Sequence, residues 1–176
     1  MQKPLQLLTL AFIILACNKD PDIIDINIPD PPRTLAQQLP GDYDLDAVEY
    51  ISTISVDLGG IDLPVTSSGT DKNPNGGLIV ESNNLNFDGQ FTLQLSTIPG
   101  LPAFPIPVSI GNSGTFSIRG GNLILETSDG PLTLDVISHG PYHVTVQSNT
   151  SVATPIPLPG LSSIPVTYTL HYIKNY

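Results

Sequence analysis

The sequence contains no tryptophan and only one cysteine, and only six of its 176 residues are lysine or arginine. A single cysteine, Cys17, has no partner in the chain for a disulfide bond. Sixteen acidic residues give a formal net charge of −10, and the few basic residues form no stripe that would bind phosphate backbones. The composition therefore argues against nucleic acid as a partner, and against attraction to anionic lipid by charge.

Long hydrophobic runs are also absent, apart from one at the N-terminus. Leu5 to Ala16 form an apolar run of twelve residues that follows the positively charged Lys3. A membrane-spanning helix needs about 20 apolar residues, so this run is too short to cross a bilayer. A basic residue followed by a short apolar run is typical of a secretory signal peptide. Residues 1–16 are therefore predicted to be a signal peptide.

The apolar run ends in Ile14-Leu15-Ala16-Cys17, which resembles the lipobox of bacterial lipoproteins. In that motif an aliphatic residue and a small residue precede a cysteine that is acylated, for example with palmitate, and becomes the mature N-terminus. The resemblance implies cleavage after Ala16 and a lipid anchor on Cys17, so a membrane is the first partner that the sequence implies. The alternative interpretation is a buried thiol at the edge of an uncleaved helix.

Residues 17–33 follow as an acidic, proline-rich tether. The part from Asn18 to Arg33 contains four aspartates, four prolines and no aromatic residue. It cannot bury enough apolar surface to offset its ordering entropy, and when extended it would reach roughly 50 Å. Lys19-Asp20-x-Asp22 is similar to the acidic surface-export signals of some Gram-negative lipoproteins. That resemblance implies an outer-membrane lipoprotein at the cell surface, with the periplasmic face as the alternative.

The remaining residues, 34–176, show the alternation of apolar and polar side chains that is typical of half-buried antiparallel strands. Phe91, Leu93 and Leu95, for example, alternate with polar residues. The segment is long enough for one core, and it is predicted to be a single all-β domain. The predicted strands are 43–58, 61–68, 78–87, 90–98, 103–110, 114–118, 122–128, 131–138, 141–152 and 164–175.

Glycine-containing pairs separate many of these strands. Gly59-Gly60, Asp88-Gly89, Gly120-Gly121 and Asp129-Gly130 are predicted to form two-residue turns, because such pairs tolerate positive φ angles. Short strands joined by tight turns predict an antiparallel up-and-down meander rather than a Greek key.

The beginning of the domain shows two irregularities. In the first strand the apolar positions change parity between Ala47 and Val48, which predicts a β-bulge near Ala47-Val48 that bends the strand. Thr34 to Leu39 is the segment with helical spacing. With Thr34 as the N-cap, this segment is predicted to form a short N-terminal helical turn that plugs one end of the sheet.

Several short motifs follow one another in the order found in a known group of proteins. They are Leu39-Pro40-Gly41-Asp42-Tyr43, Leu85-x-Phe87-Asp88-Gly89-x-Phe91, Gly114-Thr115-Phe116-x-Ile118, Gly121-Asn122-Leu123-x-Leu125, Tyr142-x-Val144 and Thr167-Tyr168-Thr169-Leu170. Over about residues 35–175 they resemble the lipocalin-like lipoproteins of Gram-negative bacteria. The resemblance implies a meander β-barrel of about eight to ten strands, and a small apolar ligand. The family begins with Gly-x-Trp where this sequence has Gly41-x-Tyr43, and Lys174 is the candidate for the basic residue over that aromatic ring.

The predicted inward-facing positions carry Phe, Leu, Val, Ile and Tyr and no charged residue. Enzyme sites need acids or bases with perturbed pKa values in a cleft, so the domain is predicted not to be an enzyme and to use no cofactor. A pocket here would hold an apolar ligand, unless the same side chains fill the interior completely. The candidate ligand-binding residues are Tyr43, Phe91, Phe116, Tyr142, Tyr168 and Tyr172.

Two apolar, proline-rich segments, 98–107 and 155–161, resemble each other, and 58–64 is a weaker copy. Prolines two residues apart remove amide donors from the same side of a strand, so these segments are predicted to be sheet edges or loops. Either the prolines protect the edges from strand addition, or the segments present an apolar surface to a partner protein. An interaction lipoprotein with a packed interior is therefore the alternative function. The candidate partner-contact residues are Leu101, Phe104, Ile106, Ile156, Leu158 and Leu161.

The aspartates at the start of the first strand do not complete a metal site. Asp42-x-Asp44-x-Asp46 has the spacing that opens a calcium loop, but Ala47 stands where glycine is required and Thr53 where a bidentate glutamate is required. On a strand the three carboxylates share one face, which is expected to point to water.

The three histidines are also spread out. His143 and His171 lie on the polar side of their strands, and His139 precedes a turn. A hairpin near Gly160 places His171 opposite about residue 149, so His143 and His171 are not expected to share a ligand. The sequence therefore predicts no metal site and no catalytic residue.

Overall fold

The part of the chain that the structure describes begins just before the predicted domain. The computed structural model describes residues 33–57, 59–96, 102–158 and 161–176, with the backbone alone for 154–158 and 161–162. The predicted signal peptide, Cys17 and the tether up to residue 32 lie outside the described residues. Arg33–Tyr176 forms one compact unit. No helix within the described ranges is long and apolar enough to cross a membrane.

One short helix and nine antiparallel strands make up the described part of the chain. They are α1 (Leu35–Gln38), β1 (Gly41–Asp57), β2 (Asp62–Asp71), β3 (Asn75–Glu81), β4 (Asn84–Leu95), β5 (Phe104–Arg119), β6 (Asn122–Thr127), β7 (Gly130–His139), β8 (His143–Leu158) and β9 (Leu161–Lys174). The strand order is β2-β1-β3-β4-β5-β6-β7-β8-β9, and β1 also pairs with β9, so the sheet closes in a ring. The predicted all-β antiparallel meander and the short helical turn are confirmed.

The ring closes on β1, which pairs with three other strands. On one side, residues 41–44 pair with β3 and residues 48–57 pair with β2. On the other side, residues 43–51 pair with β9. β2 and β3 therefore lie end to end beside β1, and the break between them falls at residues 72–74.

The predicted bulge in β1 is confirmed. The register with β9 shifts between Leu45 and Ala47. Before the shift the odd-numbered Tyr43 and Leu45 are buried, and after it the even-numbered Val48 and Tyr50 are buried. The extra residue lets one long strand keep its apolar side chains inside while it bends around the ring.

The ring has two different ends. We call the first the lid end: it carries α1 and the turns from β3 to β4, β5 to β6 and β7 to β8. The opposite, hairpin end carries the connections from β1 to β2, β4 to β5, β6 to β7 and β8 to β9. Because α1 leads into β1, the chain enters the domain at the lid end. The described parts of the three similar segments, residues 59–64, 102–107, 155–158 and 161, lie at the hairpin end.

One predicted turn is wrong. Asp88-Gly89 lies inside β4, and β3 and β4 are joined instead through Ser82-Asn83, where Ser82 adopts a positive φ of 53°. Gly89 faces the interior, where an added Cβ would lie 3.1 Å from Leu45 Cδ2 and 3.2 Å from Ile110 Cγ1. The glycine is therefore explained by close packing and not by turn geometry.

The predicted strands 103–110 and 114–118 are also wrong in one respect, because they are a single strand, β5. Residues 104–115 pair with β4 without a break in register. Gly111 and Gly114 lie at the predicted gap between the two strands, and each lies close to a neighbouring backbone: a Cβ at Gly111 would lie 3.1 Å from Phe87 O. Glycine in a strand interior commonly marks such a close approach.

The interior of the ring is a continuous apolar core. Along β4 every second residue from Leu85 to Leu95 is buried, which is the alternation that the sequence predicted. Burying a leucine or phenylalanine side chain contributes about 1.5–3 kcal/mol, so a core of this extent provides most of the favourable folding free energy. Its fully buried large side chains are Tyr172, Phe87, Leu39, Leu78, Leu85, Leu93, Leu123, Leu125, Leu134, Ile164, Leu170 and Val48.

Three buried serines interrupt this apolar interior where neighbouring strands separate toward the hairpin end. Each serine side chain makes a hydrogen bond in place of the missing backbone ladder. The bonds join Ser52 Oγ to Pro165 O (2.7 Å), Ser148 Oγ to Thr133 O (3.0 Å) and Ser96 N to Ser67 Oγ (2.9 Å). They bridge β1 to β9, β8 to β7 and β2 to β4, respectively.

The first half of β5 is a sheet edge, as its prolines predicted. Residues 104–114 pair with β4 alone, because pairing with β6 begins at Thr115. The amide of Thr92 donates to Asp71, which lies on the side of β4 away from β5. Thr92 and Pro107 therefore form a pair without backbone hydrogen bonds, and the nitrogen of Pro107 points to the free edge of β5. Pro107, like Pro105 two residues earlier, therefore removes a donor from the free edge.

Candidate functional site

At the lid end, a tyrosine and a lysine fasten α1 and β9 to β1. The Tyr43 hydroxyl lies 2.9 Å from Leu39 O and 3.1 Å from Gln38 O, and donates to this end of the helix. Lys174 Nζ donates to Pro40 O at 2.6 Å and lies 5.4 Å from the centre of the Tyr43 ring. An ammonium at that distance is attracted to the ring face. The expectation that Lys174 packs over Tyr43 is confirmed.

A second buried tyrosine near this end lacks such partners. Tyr172 is 1% exposed, and its hydroxyl has no hydrogen-bond partner among the described residues. Burial raises the pKa of both Tyr43 and Tyr172, and the nearby Tyr168 and Asp88 raise the pKa of Tyr172 further. Both phenols are therefore protonated at neutral pH.

We expect the same substitution, tyrosine to phenylalanine, to affect the free energy of unfolding differently at these two positions. Tyr43→Phe removes a hydrogen-bond donor from helix carbonyls, and we expect it to lower the free energy of unfolding by about 1–2 kcal/mol. Tyr172→Phe removes an unsatisfied buried donor, and we expect no loss or a small gain. Urea unfolding of both variants measures the difference. A loss of more than about 1 kcal/mol for Tyr172→Phe would mean that a water or a ligand accepts from this hydroxyl.

An aromatic cluster crosses the interior of the ring. The Phe91 ring lies 6.3 Å from the Tyr50 ring and 6.5 Å from the Tyr168 ring. Centroid distances of this size are typical of attractive aromatic pairs, and all three side chains are buried. Two of the predicted ligand-binding residues, Phe91 and Tyr168, therefore pack against each other, and Tyr43 and Tyr172 lie buried among other core residues.

β2 and β4 lie side by side without a backbone ladder, and we call this gap the seam. Side chains bind the amides that β4 directs into it. Thr92 N donates to Asp71 Oδ2 (2.9 Å), Gln94 N to the Tyr50 hydroxyl (3.0 Å) and Ser96 N to Ser67 Oγ (2.9 Å). Tyr50 passes directly beside Gly69, where a Cβ would lie 2.7 Å from Tyr50 Cζ. Only glycine at this position leaves room for that hydroxyl.

A pocket of about 360 Å³ opens where the seam meets the break between β2 and β3. Its apolar lining is Phe91, Pro107 and Val108. Phe91 and Val108 are interior residues, each 4% exposed, and they line the pocket between the outward-facing Gln90, Thr92, Pro107 and Ser109. Its polar lining consists of Asp71, Asn73, Asn75, Gln90, Thr92 and Ser109.

The carboxylate of Asp71 is held in place by backbone amides. Its Oδ1 accepts from Asn73 N at 3.0 Å and its Oδ2 from Thr92 N at 2.9 Å. The first bond shapes the turn after β2, and the second spans the seam. None of the residues that line this pocket is basic, so Asp71 carries its one charge.

A second groove, of about 460 Å³, lies on the outer face of β3, β4 and β5 nearer the lid end. Its side chains include Ile79, Glu81, Asn84, Asn86 and Ser113. Ile79 is 43% exposed there. This groove lies on the same strands as the seam pocket, but the two have no lining residue in common. Variants in this groove can therefore serve as controls for variants in the seam pocket.

Two predicted ligand-binding residues lie apart from the buried cluster. Phe116 is half-buried at the margin of the core. The interior placement of Tyr142 is wrong, because its side chain is 57% exposed. β8 begins one residue later, at His143, and Tyr142 lies in the turn before it, where its ring packs 5.4 Å from the ring of Tyr176.

The predicted partner-contact residues have different surroundings. Phe104 is 41% exposed, as an exposed apolar surface requires. Ile106 is 3% exposed and is wrong as a contact residue, because it faces Leu93 across β4 and β5 and belongs to the core. Leu101 lies outside the described residues, as do the side chains of Ile156, Leu158 and Leu161.

Two exposed apolar residues at the hairpin end were missed. Ile61 is 64% exposed and Leu63 is 41% exposed. Both belong to the segment 58–64. Its similarity to the two proline-rich segments was the signal that would have added them to the predicted partner-contact residues.

The histidines and aspartates remain separate in the fold. Asp42, Asp44 and Asp46 are exposed, as predicted. His171 faces Thr145 and not residue 149, because the β8–β9 register shifts between residues 153 and 158. Among the described residues no three His, Cys, Asp or Glu side chains gather to hold a metal ion.

No family model matches the sequence, and no curated protein matches it. The seam pocket is therefore interpreted from its own geometry. Sequence reasoning missed Asp71, Gln90 and Ser109, because polar residues on the outward side of a strand look like ordinary solvated positions. Pro74 was the available signal, since a proline in the middle of a long polar stretch indicates a break between strands.

Proposed function

We propose that the chain is a lipoprotein, anchored to the outer membrane through lipid on Cys17, and that its ring of strands is a closed lipocalin-like barrel that binds a small, largely apolar ligand. The observation that carries the binding function is the pocket of about 360 Å³ at the seam, whose lining combines Phe91, Pro107 and Val108 with polar residues. Small-molecule pockets are typically about 300–1,000 Å³, with apolar walls and a few polar groups. The cell surface is the proposed location.

The closure of the ring supports the barrel part of this proposal. β1 and β9, the first and last strands, pair with each other. Lys174 on β9 binds Pro40 and covers Tyr43 on β1, in the relation that the resemblance to lipocalin-like proteins implied. Joining the terminal strands removes the edges that β1 and β9 would otherwise expose on the sides that face each other.

The chemistry of the pocket favours binding over catalysis. Asp71 is its one ionisable side chain, and backbone amides already bind both of its oxygens. No nucleophile with an adjacent base lines the pocket, and acyl or phosphoryl transfer needs such a pair or an equivalent electrophile. Apolar contacts and hydrogen bonds remain as the available interactions.

Mass spectrometry tests the anchor and the ligand separately. On the chain from the membrane fraction of the producing bacterium, we expect the denatured mass to show loss of residues 1–16 and covalent lipid on Cys17. On an exported Cys17→Ala chain purified without detergent, we expect the native spectrum to show an additional mass that leaves on denaturation. An unlipidated membrane chain would contradict the anchor, and a bare native mass would contradict ligand binding.

Two tryptophan variants locate the ligand. Ser109→Trp fills the seam pocket and is expected to abolish the additional mass. Ser113→Trp places the same side chain on the same face of β5, in the second groove, and is expected to leave the additional mass unchanged. Equal loss in both variants would place the ligand elsewhere.

The exposed apolar residues at the hairpin end favour a second candidate function, interaction with a partner protein. Ile61, Leu63 and Phe104 are all more than 40% exposed, and they lie at the end of the domain opposite α1. In this position they face away from the side on which the proposed tether joins. The blocked edge of β5 means that such a partner would contact side chains and not extend the sheet.

A further inference from the structure

We infer that the polar half of the seam pocket recognises an uncharged, hydroxyl-bearing head group, so that the ligand is a non-ionic amphiphile such as an alkyl glycoside. This inference rests on the proposed ligand-binding function and adds the chemistry of the head group. The apolar part of the ligand would contact Pro107, which is exposed beside the pocket, and the head group would lie over the polar residues.

The arrangement of the polar residues matches several hydroxyl groups. Asn75, Gln90 and Ser109 are direct cross-strand partners on β3, β4 and β5. Their side chains share the outer face and form a row with neighbours about 4.5–5.5 Å apart. Carboxamides and hydroxyls each donate and accept hydrogen bonds, as the hydroxyls of a sugar or polyol do. A row across three strands suits a head group with several hydroxyls.

The charge of the pocket disfavours an anion and offers a cation a single partner. An anionic head group would be repelled by Asp71 and would find no basic residue among those that line the pocket. The Asp71 charge is also already stabilised, because its oxygens accept from Asn73 N at 3.0 Å and from Thr92 N at 2.9 Å. A cationic head group would be attracted to this one carboxylate but would gain no hydrogen bonds from the row of amides and hydroxyls, whereas a head group with several hydroxyls can bond to all of them.

The test compares four probes with the same eight-carbon chain: octyl glucoside, octyl sulfate, octyltrimethylammonium and 1-octanol. Each is titrated, below its micelle concentration, into the ¹⁵N-labelled mature chain that carries Cys17→Ala. We expect octyl glucoside to shift the amides of Gln90, Thr92 and Ser109, and to bind at least tenfold more tightly than the other three probes.

Alanine variants test whether the head group binds to the row of Asn75, Gln90 and Ser109. Removing one hydrogen-bonding side chain costs roughly fivefold in affinity, so Gln90→Ala and Ser109→Ala are each expected to weaken octyl glucoside binding about fivefold and to leave 1-octanol binding unchanged. Asn86→Ala, in the second groove, is the matched control and is expected to change neither affinity.

Each other outcome overturns the inference in a recognisable way. Equal binding of octyl sulfate or octyltrimethylammonium would mean that charge is not discriminated. Equal binding of 1-octanol and octyl glucoside would mean that the head group is not recognised, while the proposed ligand binding would stand. Absence of binding by all four probes would overturn the proposed function together with the inference.

Discussion

Leu134→Glu is expected to unfold the domain at room temperature. Leu134 is 1% exposed and lies opposite Leu123, which is fully buried. The substitution removes an apolar side chain and places a carboxylate without a partner in the core, which costs about 5 kcal/mol or more. Domains of this size are stable by about 5–15 kcal/mol, so the loss is comparable with the whole stability. Circular dichroism and the dispersion of amide NMR signals measure it.

The neighbouring residue provides the control for this prediction. Thr133 is exposed on the same strand, and only its backbone oxygen contacts the core side, through Ser148 Oγ. Thr133→Glu is therefore expected to change the free energy of unfolding by less than about 0.5 kcal/mol. A Leu134→Glu variant with the melting temperature of the unchanged protein would contradict the inward orientation of β7.

Gly76→Ala is expected to lower the free energy of unfolding by about 3 kcal/mol. Gly76 has a φ of 142°, and a Cβ there would lie 2.8 Å from Gly89 Cα on the adjacent strand. The added methyl group therefore meets a disfavoured backbone conformation and a backbone contact that cannot move aside. Denaturant unfolding gives the value, and the same variant would displace Asn75, the neighbour that lines the seam pocket.

Gly120→Ala separates the cost of the disfavoured backbone conformation from the cost of the contact with the adjacent strand. Gly120 also has a positive φ, 60°, but a Cβ there would meet no atom within 4 Å. Its cost is expected to be about 1 kcal/mol, the value for a left-handed residue other than glycine. If both alanine variants lost the same free energy, the contact between Gly76 and β4 would carry no weight, and the close pairing at that point would be wrong.

The inside of the domain was predictable from the sequence because burial follows a period of two. Phe91, Leu134 and Tyr168 were all placed on the inner face by alternation alone, and the parity change in β1 located its bulge within one residue. The identity of Lys174 as the cation over Tyr43 came from the resemblance and not from any periodicity. These features depend on residue type and spacing, both of which the sequence shows directly.

The seam and its pocket were not predictable in this way. They result from register: β2 stops at Asp71 and β3 starts at Asn75, so β4 is left with amides that side chains must bind. The same reason explains the errors at Asp88-Gly89 and at Tyr142. Glycine marks both turns and close contacts, and one residue decides whether an aromatic side chain begins a strand or precedes it.

The pairing of β1 with three strands has a mechanical consequence. A load on Arg33 that is directed along β1 would enter this strand through α1. Hydrogen bonds in an antiparallel sheet run perpendicular to the strands, so the bonds to β9 and β3 resist such a load in parallel rather than breaking one after another. Lys174 adds a cross-link at the point of entry, through Pro40 O. A load that enters the domain through Arg33 would therefore meet a strand that is held by hydrogen bonds on both sides.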